Sequence, residues 1–314
     1  MGLSAEELEE HCQKILGDRR IKNKVVVLCE GEIAKDSSGR RSPQAYKKME
    51  QMPDANFYRK CVPKSWNDKP KPQFFNCGDR KDVVDTYLRL LELGDTSQSY
   101  LNKAKLFALV DLDIQLHKIT NYQYSDTEQI FNHLYNKTQI VEQNAAEHFI
   151  WVTGLIHKEA YFISPELQQL YNDYLLQPQY NNAPVLLSDL YLSICQDTPE
   201  DLDLKNNFDR AIKRISHCQQ LDCYNLEELK DIWHKEYVKA NNRKRKQELA
   251  FLLLTIIKAK HYWHQIKPPS DYPSKAERFR EQLSLEIGKF YAKQDWCNSR
   301  HHIPYFFYTL YQFA

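Results

Sequence analysis

The sequence predicts an α/β fold: a small parallel sheet flanked by helices over residues 1–165, followed by a mainly α-helical domain over 166–314. Two acid-tipped apolar runs carry most of that expectation. Lys24-Val-Val-Val-Leu-Cys-Glu30-Gly31-Glu32 and Leu106-Phe-Ala-Leu-Val-Asp111-Leu-Asp113 each have strand length and lack the polar alternation of a half-exposed strand, as expected for strands buried on both faces. The third observation is a change of texture near Ser164, beyond which helical periodicity dominates.

Taken in order, Ser4 as cap, Glu7 three residues later and Gly17 as a stop predict a helix over 4–17. Val25–Cys29 is the first strand, and Ser42-Pro43 opens a short helix toward Met52. Residues 53–72 hold four of the thirteen prolines and predict an irregular insertion. Pro72–Cys77 is a second strand. Gly78 follows it, and then a helix with Val83, Val84, Tyr87, Leu88, Leu90 and Leu91 on one face. Lys105–Val110 gives the third strand, residues 126–136 an amphipathic helix and His148–Val152 the fourth strand. The second half predicts helices over 166–176, 188–195, 207–218, 225–240, 245–264 and 275–293. Strand-like alternation returns only in the aromatic tail Ile303–Phe313, which is too dense in rings to lie free in water.

Composition excludes several functions. With 43 basic against 42 acidic residues, a polyanion has to be held by a local basic patch or by metal. Glycine is scarce at 8 residues, and neither a G-x-G-x-x-G nor a G-x-x-x-x-G-K-[ST] loop is present, so the chain binds ATP by neither device. The start of the chain is acidic and helix-like, and no apolar run approaches the ~18–20 residues of a membrane span. Eight scattered cysteines complete the expectation of a reducing, cytoplasmic setting. Cys218 and Cys223 with His217, and Cys297 with His301-His302, lack the paired spacing of a zinc site.

Carboxylates at the carboxyl ends of buried parallel strands are suited to a hard cation. Mg²⁺ or Mn²⁺ prefers oxygen ligands and retains several waters, so two or three acids suffice. Glu30, Asp111 and Asp113 are the candidates, and strand alternation predicts that the two aspartates share a face. Arg40, Arg41, Arg80 and Lys81 follow the strand ends and are candidates to line a groove for a phosphate backbone. The basic block Asn241–Lys246 is either a nucleic-acid contact or the solvent-facing start of a helix.

The segments Val-Val-Val-Leu-Cys-Glu30-Gly31, Phe74-Phe-Asn-Cys-Gly78 leading into an apolar helix, and Ala-Leu-Val-Asp111-Leu-Asp113 resemble the Toprim domain over residues 20–165. The resemblance is to the OLD-type Toprim nucleases, and especially to small Toprim-like effectors paired with an ATPase in bacterial phage defence. It implies Mg²⁺ (or Mn²⁺) at Glu30, Asp111 and Asp113, and an endonuclease acting on RNA, including tRNA, or DNA. Gly154-Leu-Ile-His-Lys158-Glu159-Ala-Tyr-Phe162 resembles the Ile-Glu-Asn-Tyr-type motif of OLD-like members. That nominates Glu159 as a further catalytic acid, with Lys158 beside it to meet phosphate. The resemblance also implies an ATPase regulatory partner, and the helical half is suited to substrate selection, homodimerisation or docking. The alternative class is a non-catalytic Toprim-like scaffold.

Overall fold

A computed structural model describes residues 2–35, 39, 42–94, 99–218 and 220–314. The chain divides into two compact units. The first comprises Met1–Asp111, His117–Val152 and Gly288–Ala314, and the second comprises Leu112–Leu116 and Thr153–Ile287. A single cut at 165 therefore does not describe the chain, because its last segment returns to the first unit.

The first unit is built on a four-stranded parallel sheet: β1 (Val26–Cys29), β2 (Gln73–Asn76), β3 (Leu106–Val110) and β4 (Ile150–Val152), in the order β2-β1-β3-β4. Every residue of these four strands is buried, which is why all but Gln73 and Asn76 at the ends of β2 are apolar. In register, Val27 lies between Phe74 and Phe107. The Ala5–Leu16 helix starts on the expected capping box: Ser4 Oγ accepts from the Glu7 amide and the Glu7 carboxylate accepts from the Ser4 amide. It packs on the Arg80–Leu93 helix, which in turn lies on β1 and β3.

Residues 53–72 depart from the expectation of an irregular insertion. Pro53–Cys61 is a helix that buries Ala55, Phe57, Tyr58 and Cys61, and Lys64–Asp68 is a 3₁₀ turn that buries Trp66. Pro53 stands at the first helical position, where a missing N–H costs nothing, so here the proline starts a helix. Gly288 makes room for this helix: a Cβ there would stand 2.8 Å from Lys60 Cβ and 3.1 Å from the Phe57 carbonyl oxygen.

The aromatic tail is likewise not a strand. His302–Phe313 is an α-helix whose buried residues Ile303, Phe306, Phe307 and Leu310 follow i, i+3, i+4, i+7 spacing. The tyrosines between them conceal that period in the sequence. Phe306 packs on Trp151 (5.1 Å between ring centroids), Phe307 on Phe74 (6.2 Å) and Trp66 (6.3 Å), and Phe313 on Phe107 (5.1 Å). The tail thus supplies core to the sheet.

His302 opens this helix buried, with Nε2 donating to the Thr138 carbonyl at 2.8 Å. Burial pushes its pKa down to about 4. The unfolded chain therefore takes up a proton near pH 6.5 that the folded chain refuses until about pH 4, and stability falls as pH drops through that window. We expect His302→Gln to flatten the acid limb of a denaturation-versus-pH curve by about 1 kcal/mol per pH unit between those values. An unchanged slope would contradict this assignment.

The second unit is mainly helical. Its core includes Leu187–Asp197, Leu226–Lys239 and Arg243–Ile256. Trp233 stacks on Tyr237 at 4.6 Å and donates Nε1–H to the Leu249 carbonyl. The hydroxyls of Tyr171 and Tyr191 donate to the Phe162 and Ile163 carbonyls at 2.6 Å, satisfying the end of the Lys158–Phe162 helix. The helix expected over 245–264 is two helices, Arg243–Ile256 and Lys260–Gln265. The break falls where the Ala259 amide donates to His157 Nε2 at 3.0 Å, a side-chain acceptor taking the place of a helical carbonyl. Among the described residues, no helix is long and apolar enough to cross a membrane. Seven of the eight cysteines are buried as small apolar side chains.

Candidate metal and polyanion site

The strand order fixes where a ligand is expected. From β1 the chain steps to β2 on one side, then crosses back to β3 on the other and continues outward to β4. The crossovers diverge between β1 and β3, which opens a crevice beyond the carboxyl ends of those two strands. Glu30 is the residue after β1 and Asp111 the residue after β3. The Asp111 amide donates to Glu30 Oε1 at 2.7 Å, so the Glu30 carboxylate reaches the Asp111 backbone at that switch point.

The rest of this edge is shaped by backbone. Gly31 and Gly78, just past β1 and β2, exchange two amide–carbonyl bonds of 2.9 and 2.8 Å. Gly31 has φ +145°, and a Cβ there would come within 2.6 Å of Asp54 Oδ2. Gly31→Ala is therefore expected to cost about 1–3 kcal/mol of stability, measured by chemical denaturation. A neutral effect would show that the loop relaxes freely. Asn76, at the end of β2, ties the edge together: Nδ2 donates to the Glu32 carbonyl at 3.0 Å, and Oδ1 accepts from the Ala55 amide at 3.1 Å.

Asp54 is an acid that the sequence reading missed. It stands in the first turn of the Pro53–Cys61 helix and lies beside Gly31. The available signal was Pro53-Asp54, a proline at the first helical position followed by an acid. The expectation of an irregular segment obscured it.

Arg80 and Lys81 begin the Arg80–Leu93 helix directly after Asp79, which caps it at the same carboxyl edge of the sheet. Lys81 is exposed and pairs with Asp85 at 2.6 Å, and that carboxylate raises its pKa. Arg40 and Arg41 lie outside the described residues.

Asp113 behaves differently from the sequence expectation. β3 ends at Val110, and Asp113 has φ +45°, so strand alternation does not extend through Asp111-Leu112-Asp113. In the second unit, the Asp113 amide donates to the Ile156 carbonyl (2.8 Å), and its carbonyl accepts from Arg214 (2.7 Å). Asp113 Oδ1 accepts from the Ile114 amide (2.6 Å) and stands 3.6 Å from Lys258 Nζ. Lys258 pairs more closely with Asp203, at 2.6 Å.

Glu159 lies in the same unit with its side chain 13% exposed, between His157 (3.3 Å) and Lys158 (3.9 Å). Burial pushes its carboxyl pKa up, but its basic surroundings, the Lys158 charge foremost, outweigh it and the net shift is downward. Glu159 is thus held ionised. Burial keeps His157 neutral, and because its Nε2 accepts from Ala259, the ring proton sits on Nδ1, toward Glu159. Lys158, expected to meet phosphate, is 16% exposed and faces Glu159. Tyr161 is structural: its hydroxyl accepts from the Gly154 and Leu155 amides at 2.9 and 3.2 Å.

Among the described residues, no three His, Cys, Asp or Glu side chains are gathered closely enough to enclose a metal on their own. Mg²⁺ does not require such a cage, since one or two carboxylates with waters commonly hold it. The all-oxygen donor pair Glu30–Asp111 fits that chemistry. No protein-family model, curated protein or solved structure matches the chain.

Proposed function

We propose that the protein is a Toprim-like, Mg²⁺- or Mn²⁺-dependent endonuclease that hydrolyses phosphodiester bonds of RNA, including tRNA, or DNA. The observation that carries this reading is the contact of the Glu30 carboxylate with the Asp111 backbone at the β1/β3 switch point. The resemblance of the strand-end motifs to Toprim nucleases supplies the reaction class. Glu30 and Asp111 bind the cation, and the Asp111 amide orients the Glu30 carboxylate. When bound, the cation supplies charge neutralisation at the phosphoryl oxygens and lowers the pKa of water. Arg80 and Lys81, at the same edge, hold the nucleic-acid backbone and set its register. Asp113 and Glu159, which the resemblance also assigns to catalysis, belong to the ion-paired cluster of the second unit. The proposal rests on Glu30 and Asp111.

The same resemblance extends the reading to a toxic effector restrained by an ATPase partner, acting in the cytoplasm against phage. The test is cleavage of end-labelled tRNA, single-stranded RNA and duplex DNA by the purified full chain, with Mg²⁺ or Mn²⁺ and with chelator. We expect cation-dependent cleavage of one class. A folded chain inert toward all three, with both cations and with its genomic neighbours present, would instead favour the scaffold reading.

A further inference from the structure

The basic block at Asn241–Lys246, which the proposed reaction leaves unused, lies at the tip of a helical hairpin in the second unit. Leu226–Lys239 is one arm and Arg243–Ile256 the other, joined by Ala240-Asn241-Asn242. Between Lys235 and Glu248 the sequence holds six basic residues against two acidic ones, whereas the whole chain carries a net charge of only +1. Five of the six, Lys235, Lys239, Arg243, Lys244 and Lys246, are exposed. The sixth, Arg245, is half-buried beside Cys218 (3.2 Å) and takes both acids of the tip, Glu248 at 2.9 Å and Glu236 at 3.8 Å. Among the described residues, none of the exposed five has an ion-pair partner.

This placement works against the fold. Lys235 and Lys239 stand four residues apart on one helix face, where like charges repel. Arg243-Lys244-Arg245-Lys246 fills the first turn of the next helix, which has no acid, although the helix dipole favours acids there. Asn242 supplies the cap, its Oδ1 accepting from the Arg245 amide at 2.7 Å, and the basic side chains are no part of it. The two arms are tied together beneath the charges. Trp233 Nε1–H of one donates to the Leu249 carbonyl of the other, and Lys246 Nζ lies 5.5 Å from the centre of the Tyr237 ring. The hairpin therefore displays its uncompensated cations on a firm support, and a polyanion laid across them relieves the repulsion. An acidic protein is the weaker match, because lysine is depleted at protein interfaces and the tip presents Val238 as a lone exposed apolar anchor among the described residues. Nucleic-acid interfaces are more polar and far more positively charged.

We propose that this hairpin tip is a second nucleic-acid contact, gripping the phosphate backbone through Lys235, Lys239, Arg243, Lys244 and Lys246 without reading bases. The choice of polyanion rests on the nuclease reading, but the contact requires only binding and no cation. The experiment is fluorescence anisotropy of labelled tRNA and of labelled duplex DNA with the full chain in EDTA, from about 50 to about 200 mM salt. The wild type should bind and should weaken steeply as salt rises. The triple variant Lys239→Gln, Arg243→Gln and Lys244→Gln changes exposed positions to a residue that suits a helix. It should keep its circular-dichroism spectrum and melt no lower than the wild type, since repulsion is relieved. Its affinity should fall about tenfold or more at the lower salt, and its salt slope by about 2–3. A folded triple variant with wild-type affinity and slope would overturn the proposal, as would a wild type that binds neither probe. Displacement of both probes by polyglutamate as readily as by unlabelled tRNA would overturn it in favour of an acidic protein partner. Binding that depends on the tip, by a chain that cleaves nothing, would support this contact while removing the nuclease reading. Cleavage by a chain whose binding ignores the tip would do the reverse.

Discussion

Glu30→Gln and Asp111→Asn each reduce phosphodiester cleavage by at least about 100-fold, while the chain remains folded. The magnitude follows from what metal sites lose when disturbed: removing a group that only orients a ligand costs ~10–100-fold, and a ligand itself costs no less. Both substitutions keep shape and hydrogen-bonding capacity while removing charge. The bond from the Asp111 amide to the Glu30 side-chain oxygen has an equivalent in the glutamine variant. A loss of activity with unchanged denaturation midpoint therefore isolates the charge. Reduction of both by the same amount, with no further loss in the double variant, is expected for two ligands of one ion. Independent, multiplying losses would indicate two separate functions.

Phe307→Ala lowers the stability of the first unit by about 3–5 kcal/mol, seen as a lower denaturant midpoint. Phe307 is fully enclosed between Trp66, on the 3₁₀ turn of the former insertion, and Phe74 of β2. Removing it opens a void that three separate chain segments line, and such a site collapses poorly. The same packing predicts that a fragment ending at residue 165 does not fold cooperatively, because it lacks Ile303, Phe306, Phe307 and Leu310 from its core. A fragment of 1–165 with a sharp melting transition would contradict this account of the unit.

The four strands, the capped helix at Ala5, the helix at Arg80 from its apolar face, and the acids at the ends of β1 and β3 were all legible in the sequence. Each depends on local chemistry: a continuous apolar run, a reciprocal cap, a carboxylate at a strand end. What was not legible depends on long-range packing. The Pro53–Cys61 helix buries Ala55, Phe57, Tyr58 and Cys61, and Gly288, more than two hundred residues later, lies against it. The tail becomes a helix on the sheet because Ile303, Phe306, Phe307 and Leu310 find Phe74 and Trp151, and its intervening tyrosines hide the period. The departure of Asp113 from strand alternation turns on one left-handed backbone angle, which no strand pattern encodes. Asp54 was missed for the same reason as its helix.

Mn²⁺ binding tests the central claim most directly, because it does not require the substrate to be known. Electron paramagnetic resonance of Mn²⁺ added to the full chain reports free ion, and the account predicts a tight equivalent that Mg²⁺ displaces. Glu30→Gln and Asp111→Asn should each release it. Mn²⁺ retained at wild-type affinity by the folded Glu30→Gln and Asp111→Asn variants would contradict a metal site at the β1/β3 switch point.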